Sequence, residues 1–176
     1  MNKNKEGFMK KIGAFVGKFL PPHLGHLSII DRMAKECDAC VIVISDNPKN
    51  SENICKNANF PYFNAQKRLN WFKKHYKKNK TIHYAIIDEC EVLGQNFMEE
   101  YAKIFYKKVQ YKVNAKYADE SYRELNEKYF KTCTFVPINR DLINVHGTDI
   151  RNNYEEYKNF VMQEAREDIE KEIYKN

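Results

Sequence analysis

A chain of 176 residues, 43% hydrophobic and 14% aromatic, is long enough to bury a core and too apolar to be disordered. Its 30 Lys and Arg exceed its 24 Asp and Glu, a formal charge of +6 that favours anionic partners (nucleotides, nucleic acid or a membrane surface) without choosing among them. No run approaches the roughly 18 apolar residues of a membrane-spanning helix, and "MNKNKEGFMKK" has no apolar run behind its lysines, so neither a membrane span nor a signal peptide is expected. The cysteines Cys37, Cys40, Cys55, Cys90 and Cys133 are odd in number and irregularly spaced, which fits a reduced, cytoplasmic protein. Cys37-x-x-Cys40 lacks a second pair and Cys40 opens an apolar run, so both are read as packing residues.

Residues 1–10 read as an N-terminal tail and 11–176 as one domain. "KIGAFVG" (11–17) predicts a short buried strand. From Leu24 to about Glu36, Leu27, Ile30, Met33 and Ala34 recur at helical spacing. "DACVIVIS" (38–45) is the near-continuous apolar run of a strand covered on both faces, and "DNPKN" follows as a turn. Residues 46–63 show little period and are expected to be a long surface loop. A helix over 64–76, capped by Asn64, carries Leu69, Phe72 and Tyr76 on one face. A third strand (81–88), a helix (94–109), a weaker strand (110–115), a helix (119–130) and a strand (133–138) follow. From about Thr148 onward the pattern is helical, with Val161, Ala165, Ile169 and Ile173 in one stripe. Alternation of this kind predicts an α/β fold, a Rossmann-like parallel sheet with helices on both faces and a C-terminal helix.

The first strand leads into "GKFLPPHLGH" (17–26). In open parallel sheets ligands sit beyond the carboxyl ends of the strands, where helix N-termini point. Gly17 would let a ligand approach the backbone, and Gly25 would open a helix whose first N–H groups suit a phosphate. His23 and His26 would both reach that anion, with Lys18 adding a cation at the same edge. A second cationic element comes from "NVHGTDIRNN" (144–153), where Thr148 is an N-cap candidate and Arg151 can fork onto phosphate oxygens. Asp46, at the end of the second strand, is positioned to touch a ribose, and Arg68 to reach a nucleotide from its helix.

"GKFLPPHLGH" resembles the G-x-F-x-P-x-H-x-G-H signature of the nucleotidylyltransferase superfamily. The class I aminoacyl-tRNA synthetases share a related element, but need several hundred residues and a second lysine-rich loop. "VHGTDIR" is similar to the superfamily's second motif, I-S-x-T-x-x-R, matching at Thr148 and Arg151 and departing at the serine, which is His146 here. Together with "VIVIS", "QKRLNWFKKHY" and the segment after Arg151, the pattern is most similar to the nicotinamide-nucleotide adenylyltransferase domain of bifunctional NAD-biosynthesis regulators. The kinase P-loop and DNA-binding helix-turn-helix of those regulators are not matched, so those activities are not carried over.

The resemblance implies transfer of AMP from ATP to nicotinamide mononucleotide, giving NAD and pyrophosphate, with Mg²⁺ bound through the ATP phosphates. It implies His23, His26, Lys18 and Arg151 as the catalytic set, and Gly17, Phe19, Gly25, Asp46, Arg68, His146 and Thr148 as substrate-binding. Phe97 stands where the family often has a tryptophan near the nicotinamide. No metal cage in the protein is expected, and assembly into a homo-oligomer is left open. Rival readings are a cytidylyltransferase for a phospho-alcohol, a phosphopantetheine adenylyltransferase and a retired nucleotide sensor. A nucleic-acid-binding module is the fourth, suggested by the lysines and aromatics of "WFKKHYKKNK" (71–80). That last stretch reads better as the solvated end of an amphipathic helix.

Overall fold

A computed structural model describes residues 10–139 and 144–175. Nearly all of the expected N-terminal tail lies outside these residues. Five strands, β1 (Ile12–Gly17), β2 (Ala39–Asp46), β3 (Ile82–Asp88), β4 (Ala115–Asp119) and β5 (Thr134–Ile138), form one parallel sheet in the order β3-β2-β1-β4-β5. β1 is therefore central, and the chain reverses direction across the sheet between β1 and β4. That reversal leaves a crevice at the carboxyl end of β1, the position where such sheets bind ligands.

Strand alternation divides the core in two. Cys40, Ile42 and Ile44 of β2 face one layer, and Val41 and Val43 face the other. The first layer is covered by α1 (Leu24–Glu36), α2 (Pro48–Asn57), α3 (Ala65–His75) and three C-terminal helices, α6 (Gly147–Asn152), α7 (Tyr154–Tyr157) and α8 (Gln163–Ile173). The second is covered by α4 (Phe97–Lys108) and α5 (Arg123–Tyr129). The α/β fold with helices on both faces agrees with the expectation from the sequence. Among the described residues no helix is long and apolar enough to cross a membrane.

Four elements differ from that expectation. Residues 46–63 contain α2, because Asn47 accepts from Asn50 N at 3.1 Å as an N-cap and Pro48 follows at N1. Its only buried residues are Ser51 and Cys55, so it shows no apolar period. β4 is "AKYAD" at 115–119 rather than 110–115. The segment 119–130 begins with a 3₁₀ turn at Glu120–Tyr122 before α5. The C-terminal helical tract is broken after Asn152 and again at Val161–Met162. Val161 bridges His23, and Met162 N donates to the Pro22 carbonyl at 3.1 Å, which ties α8 to the segment preceding α1.

α8 also packs on α3. Trp71 Nε1 donates to Asp168 at 2.7 Å, Lys74 pairs with Glu167 at 2.9 Å and His75 with Glu164 at 2.9 Å. Part of the basic stretch 71–80 is thus engaged with α8. Ala165 and Ile169 are fully buried, whereas Ile173, expected in the same stripe, is exposed.

β4 eluded the sequence because its second residue is a buried lysine. Lys116 is 7% exposed; its Nζ donates to Asn126 Oδ1 at 2.6 Å and lies 3.7 Å from the Phe130 ring centroid. Among the described residues no carboxylate pairs with it, and burial pulls its ammonium down to about 8 from 10.5. Below pH 8 Lys116 is charged in both folded and unfolded chains, and its desolvation cost is fully present. Between 8 and 10.5 the unfolded chain binds more protons, so the cost fades as pH rises. Lys116→Met should therefore be more stable than wild type by up to about 3 kcal/mol near pH 7. The difference should shrink toward pH 10, as read by urea denaturation at a series of pH values.

Candidate active site

The bend between β1 and α1 is built by close packing. Phe19 adopts φ 52°, a conformation that bulky residues rarely take. Its ring folds back over Gly17, where an added Cβ would meet the ring at 2.9 Å. That ring is 2% exposed and packs edge-on to Phe15, His26 and Phe72, the last two at 4.8 Å. The space beside Gly17 is taken by the Phe19 ring, and Phe19 is a buried plug beneath His26.

Two arginines hold the carbonyls that flank Phe19. Arg68 Nη1 donates to the Lys18 carbonyl, and Arg151 Nη1 to the Leu20 carbonyl. Arg68 is fully buried, with Nε on the Phe63 carbonyl at 2.9 Å and Nη2 2.6 Å from Asp46 Oδ2, an ionic contact without a well-directed hydrogen bond. Asp46 is 2% exposed and also accepts from Ser51 at 2.5 Å and Tyr62 at 3.4 Å. Asp46 and Arg68, expected to touch substrate, instead form a buried pair that anchors the bend.

The histidines follow. His23 is the N-cap of α1; its Nδ1 accepts from Gly25 N at 3.2 Å, and His26 Nδ1 accepts from His23 N at 3.2 Å. The ring centroids lie 3.8 Å apart. An acceptor nitrogen carries no proton, so each neutral ring bears its proton on Nε2. The Gly25 N–H, expected to face a phosphate, is taken by His23.

α6 brings the second element to the same bend. Arg151 Nη2 donates to Thr148 Oγ1 at 3.1 Å while Nη1 is on Leu20, so a guanidinium from residue 151 meets the bend that carries His23 and His26. Burial lowers the Arg151 pKa from its ordinary value. The N-cap of α6 is His146, not Thr148. Its N–H donates to Asp149 Oδ2 at 2.8 Å. Gly147 is a further residue of the site: a Cβ there would meet the Leu20 carbonyl at 2.9 Å and Arg151 Nη1 at 3.2 Å. Beyond α6, a cleft of about 900 Å³ runs along the ends of β4 and β5, lined by Arg32, Asp119, Asn139, His146, Thr148 and Asp149 among others.

On the other side of β1, Lys18 Nζ is 3.4 Å from Glu89 Oε2, and Ser45 Oγ donates to Glu89 Oε1 at 2.8 Å. Ser45 and Glu89 were not anticipated, although Glu89 directly follows β3 at the ligand-binding end of the sheet. Phe97 begins α4, is 47% exposed and stacks on Tyr101 with centroids 5.8 Å apart.

The cytidylyltransferase-like family model matches residues 14–153, from β1 through the second motif. The chain belongs to this family of nucleotidylyltransferases. It is 32% identical over 148 residues to a probable nicotinate-nucleotide adenylyltransferase of Sulfurimonas denitrificans, covering 78% of this chain and 74% of the relative. It is 29% identical over 80 residues to the phosphopantetheine adenylyltransferase of Aquifex aeolicus, covering 46% and 44%. The NadR protein solved in complex with NAD and AMP-PNP superposes with a TM-score of 0.71 at 20% identity, covering 89% of this nucleotidylyltransferase and 46% of the longer NadR chain. That likeness is one of fold.

Removing the Asp46 carboxylate strands the Arg68 charge in the core. Asp46→Ala should lose about 3–5 kcal/mol in urea denaturation. A loss below 1 kcal/mol would show that the pair does not anchor the bend.

Proposed function

We propose that this nucleotidyltransferase transfers the adenylyl group of ATP to the 5′-phosphate of nicotinamide mononucleotide, giving NAD and pyrophosphate. The observation that carries the reading is the convergence of His23, His26 and Arg151 on one bend. The family assignment and the adenylyltransferase relatives support the donor.

The attacking phosphate is already an anion at neutral pH, so the reaction needs no general base and no covalent intermediate. What remains is to hold two mutually repelling polyanions in line and to stabilise charge on the α-phosphoryl and the leaving group. In this reading the Nε2–H groups of His23 and His26 donate to the triphosphate, His26 nearest the reacting phosphoryl. Arg151 keeps donors beyond those on Leu20 and Thr148, and with Thr148 it takes the β,γ-phosphates. His146, in place of the family serine, borders the nucleotide cleft from the same side. Lys18, held toward β2 and β3 by Glu89, neutralises phosphate on the acceptor side. Phe97 offers the acceptor ring a stacking face. Magnesium would enter with the ATP and supply positive charge to its phosphates, without requiring a ligand from the protein. Among the described residues no group of three or more His, Cys, Asp or Glu is placed to hold an ion.

A second reading has nicotinate mononucleotide as acceptor and is favoured by the activity for which the Sulfurimonas denitrificans relative is named. Product analysis with ATP, Mg²⁺ and each mononucleotide tests both, with CTP plus phosphocholine and ATP plus phosphopantetheine as the competing pairs. Wild type should form NAD, and His26→Ala should lower kcat roughly 10²–10³-fold. Absence of any dinucleotide product in wild type would contradict the assignment, and full activity in His26→Ala would contradict the role of His26.

A further inference from the structure

Three neighbouring strand ends carry a polar network on the β2 and β3 side of the histidine bend. Glu89 directly follows β3, Ser45 lies near the end of β2, and Lys18 directly follows β1. Ser45 Oγ and Lys18 Nζ engage the two oxygens of Glu89 separately, at 2.8 Å and 3.4 Å. Glu89 is not a closed ion pair in the core: its side chain is 19% exposed and that of Lys18 37%. Each carboxylate oxygen has two lone pairs, so Glu89 keeps acceptor capacity beyond these contacts.

The network borders an aromatic side chain, Tyr101, as well as further carboxylates, Asp46 and Asp88. Tyr101 lies beside Ser45 and within electrostatic range of Glu89, and its ring stacks on Phe97 at 26°. Its hydroxyl is buried without a formed hydrogen bond among the described residues. Phe97 and Leu93 present exposed apolar surface, at 47% and 77%. A carboxylate next to an exposed aromatic face suits a flat cationic ring.

In-line displacement fixes which substrate lies here. The nucleophile approaches the α-phosphorus opposite the departing pyrophosphate. Arg151, Thr148 and the cleft along β4 and β5 occupy one side of the histidine bend, so the acceptor takes the β2 and β3 side. Both candidate acceptors carry a pyridinium, and they differ only in its substituent. A carboxamide is neutral and offers two N–H donors to a carboxylate. A nicotinate carboxyl group would face Glu89 charge against charge. Lys18, assigned above to the acceptor phosphate, leaves Glu89 to face the ring substituent.

Resting on the adenylyl-transfer reading above, we infer that Glu89 is the specificity-determining residue that makes the acceptor side favour an uncharged carboxamide over a carboxylate on the pyridinium ring. Ser45 orients it, and removing its charge removes the discrimination.

The test is kcat/KM for nicotinamide and nicotinate mononucleotides, at saturating ATP and Mg²⁺, in wild type, Glu89→Gln and Glu89→Asp. Wild type should prefer the amide by at least about tenfold. Glu89→Gln should cut that ratio about tenfold, chiefly through a lower KM for the acid, while Glu89→Asp keeps the direction of preference. The ratio is the decisive readout, since a purely structural role would depress both acceptors alike. Equal or better use of the acid by wild type overturns the inference whether or not either variant folds, and so does a Glu89→Gln ratio that stays at the wild-type value. Turnover of neither mononucleotide would instead remove the functional reading, and this inference with it.

Discussion

The constraint on which this site depends is the clamp that two guanidinium groups place on the bend after β1. Phe19 sits in a backbone region that costs on the order of 1–3 kcal/mol for a residue of its kind. The carbonyls on either side of it are each held by an arginine, Arg68 from α3 and Arg151 from α6. Arg68 can lie in the core only because Asp46 neutralises it. Three segments distant from it thereby fix one short turn, and the turn fixes the start of α1.

From that fixed start the histidine chemistry follows. Each Nδ1 is tied to a backbone N–H at the head of α1, so neither ring can turn without breaking a cap. The same clamp divides the site. Arg151 stands with Thr148 and the cleft beside β4 and β5, while Lys18 leans the other way onto Glu89. A donor and an acceptor meeting over the histidines would each find a different set of charges, as a displacement between two anionic substrates requires. The C-terminal helix joins this arrangement through Met162, which donates to the Pro22 carbonyl next to His23.

Much of the fold was legible because buried parallel strands leave long apolar runs, as in "CVIVI", and because α1 and α3 carry their apolar residues at helical spacing. β4 was misplaced because a strand holding Lys116 in the core does not look like one; the aromatic ring and the asparagine that receive it come from α5, which no local pattern reveals. α2 was missed because a cap and a proline define it more than any buried stripe. At the site, the spacing of His23, His26, Thr148 and Arg151 sufficed to bring them together, since β1 and the second motif must both end at the switch point of the sheet. Roles within the motif were harder. Gly17, Phe19, Asp46 and Arg68 looked like ligand contacts because they sit at strand ends and on a site-facing helix. Only the packing shows that Phe19 fills the space above Gly17 and that Asp46 and Arg68 neutralise each other. Glu89 carried a positional signal, first after β3, but the residues that single it out come from two other strands.

The central claim is that the clamped bend fixes both imidazoles with Nδ1 inward and the proton on Nε2. Long-range ¹H–¹⁵N correlation spectra of ¹⁵N-histidine-labelled protein, recorded at a pH where both rings are neutral, report the tautomer of each directly. An acceptor-type Nδ1 and a protonated Nε2 are expected for His23 and for His26, with ATP analogues perturbing Nε2 in both. A proton on Nδ1 of either ring in the folded protein would contradict it.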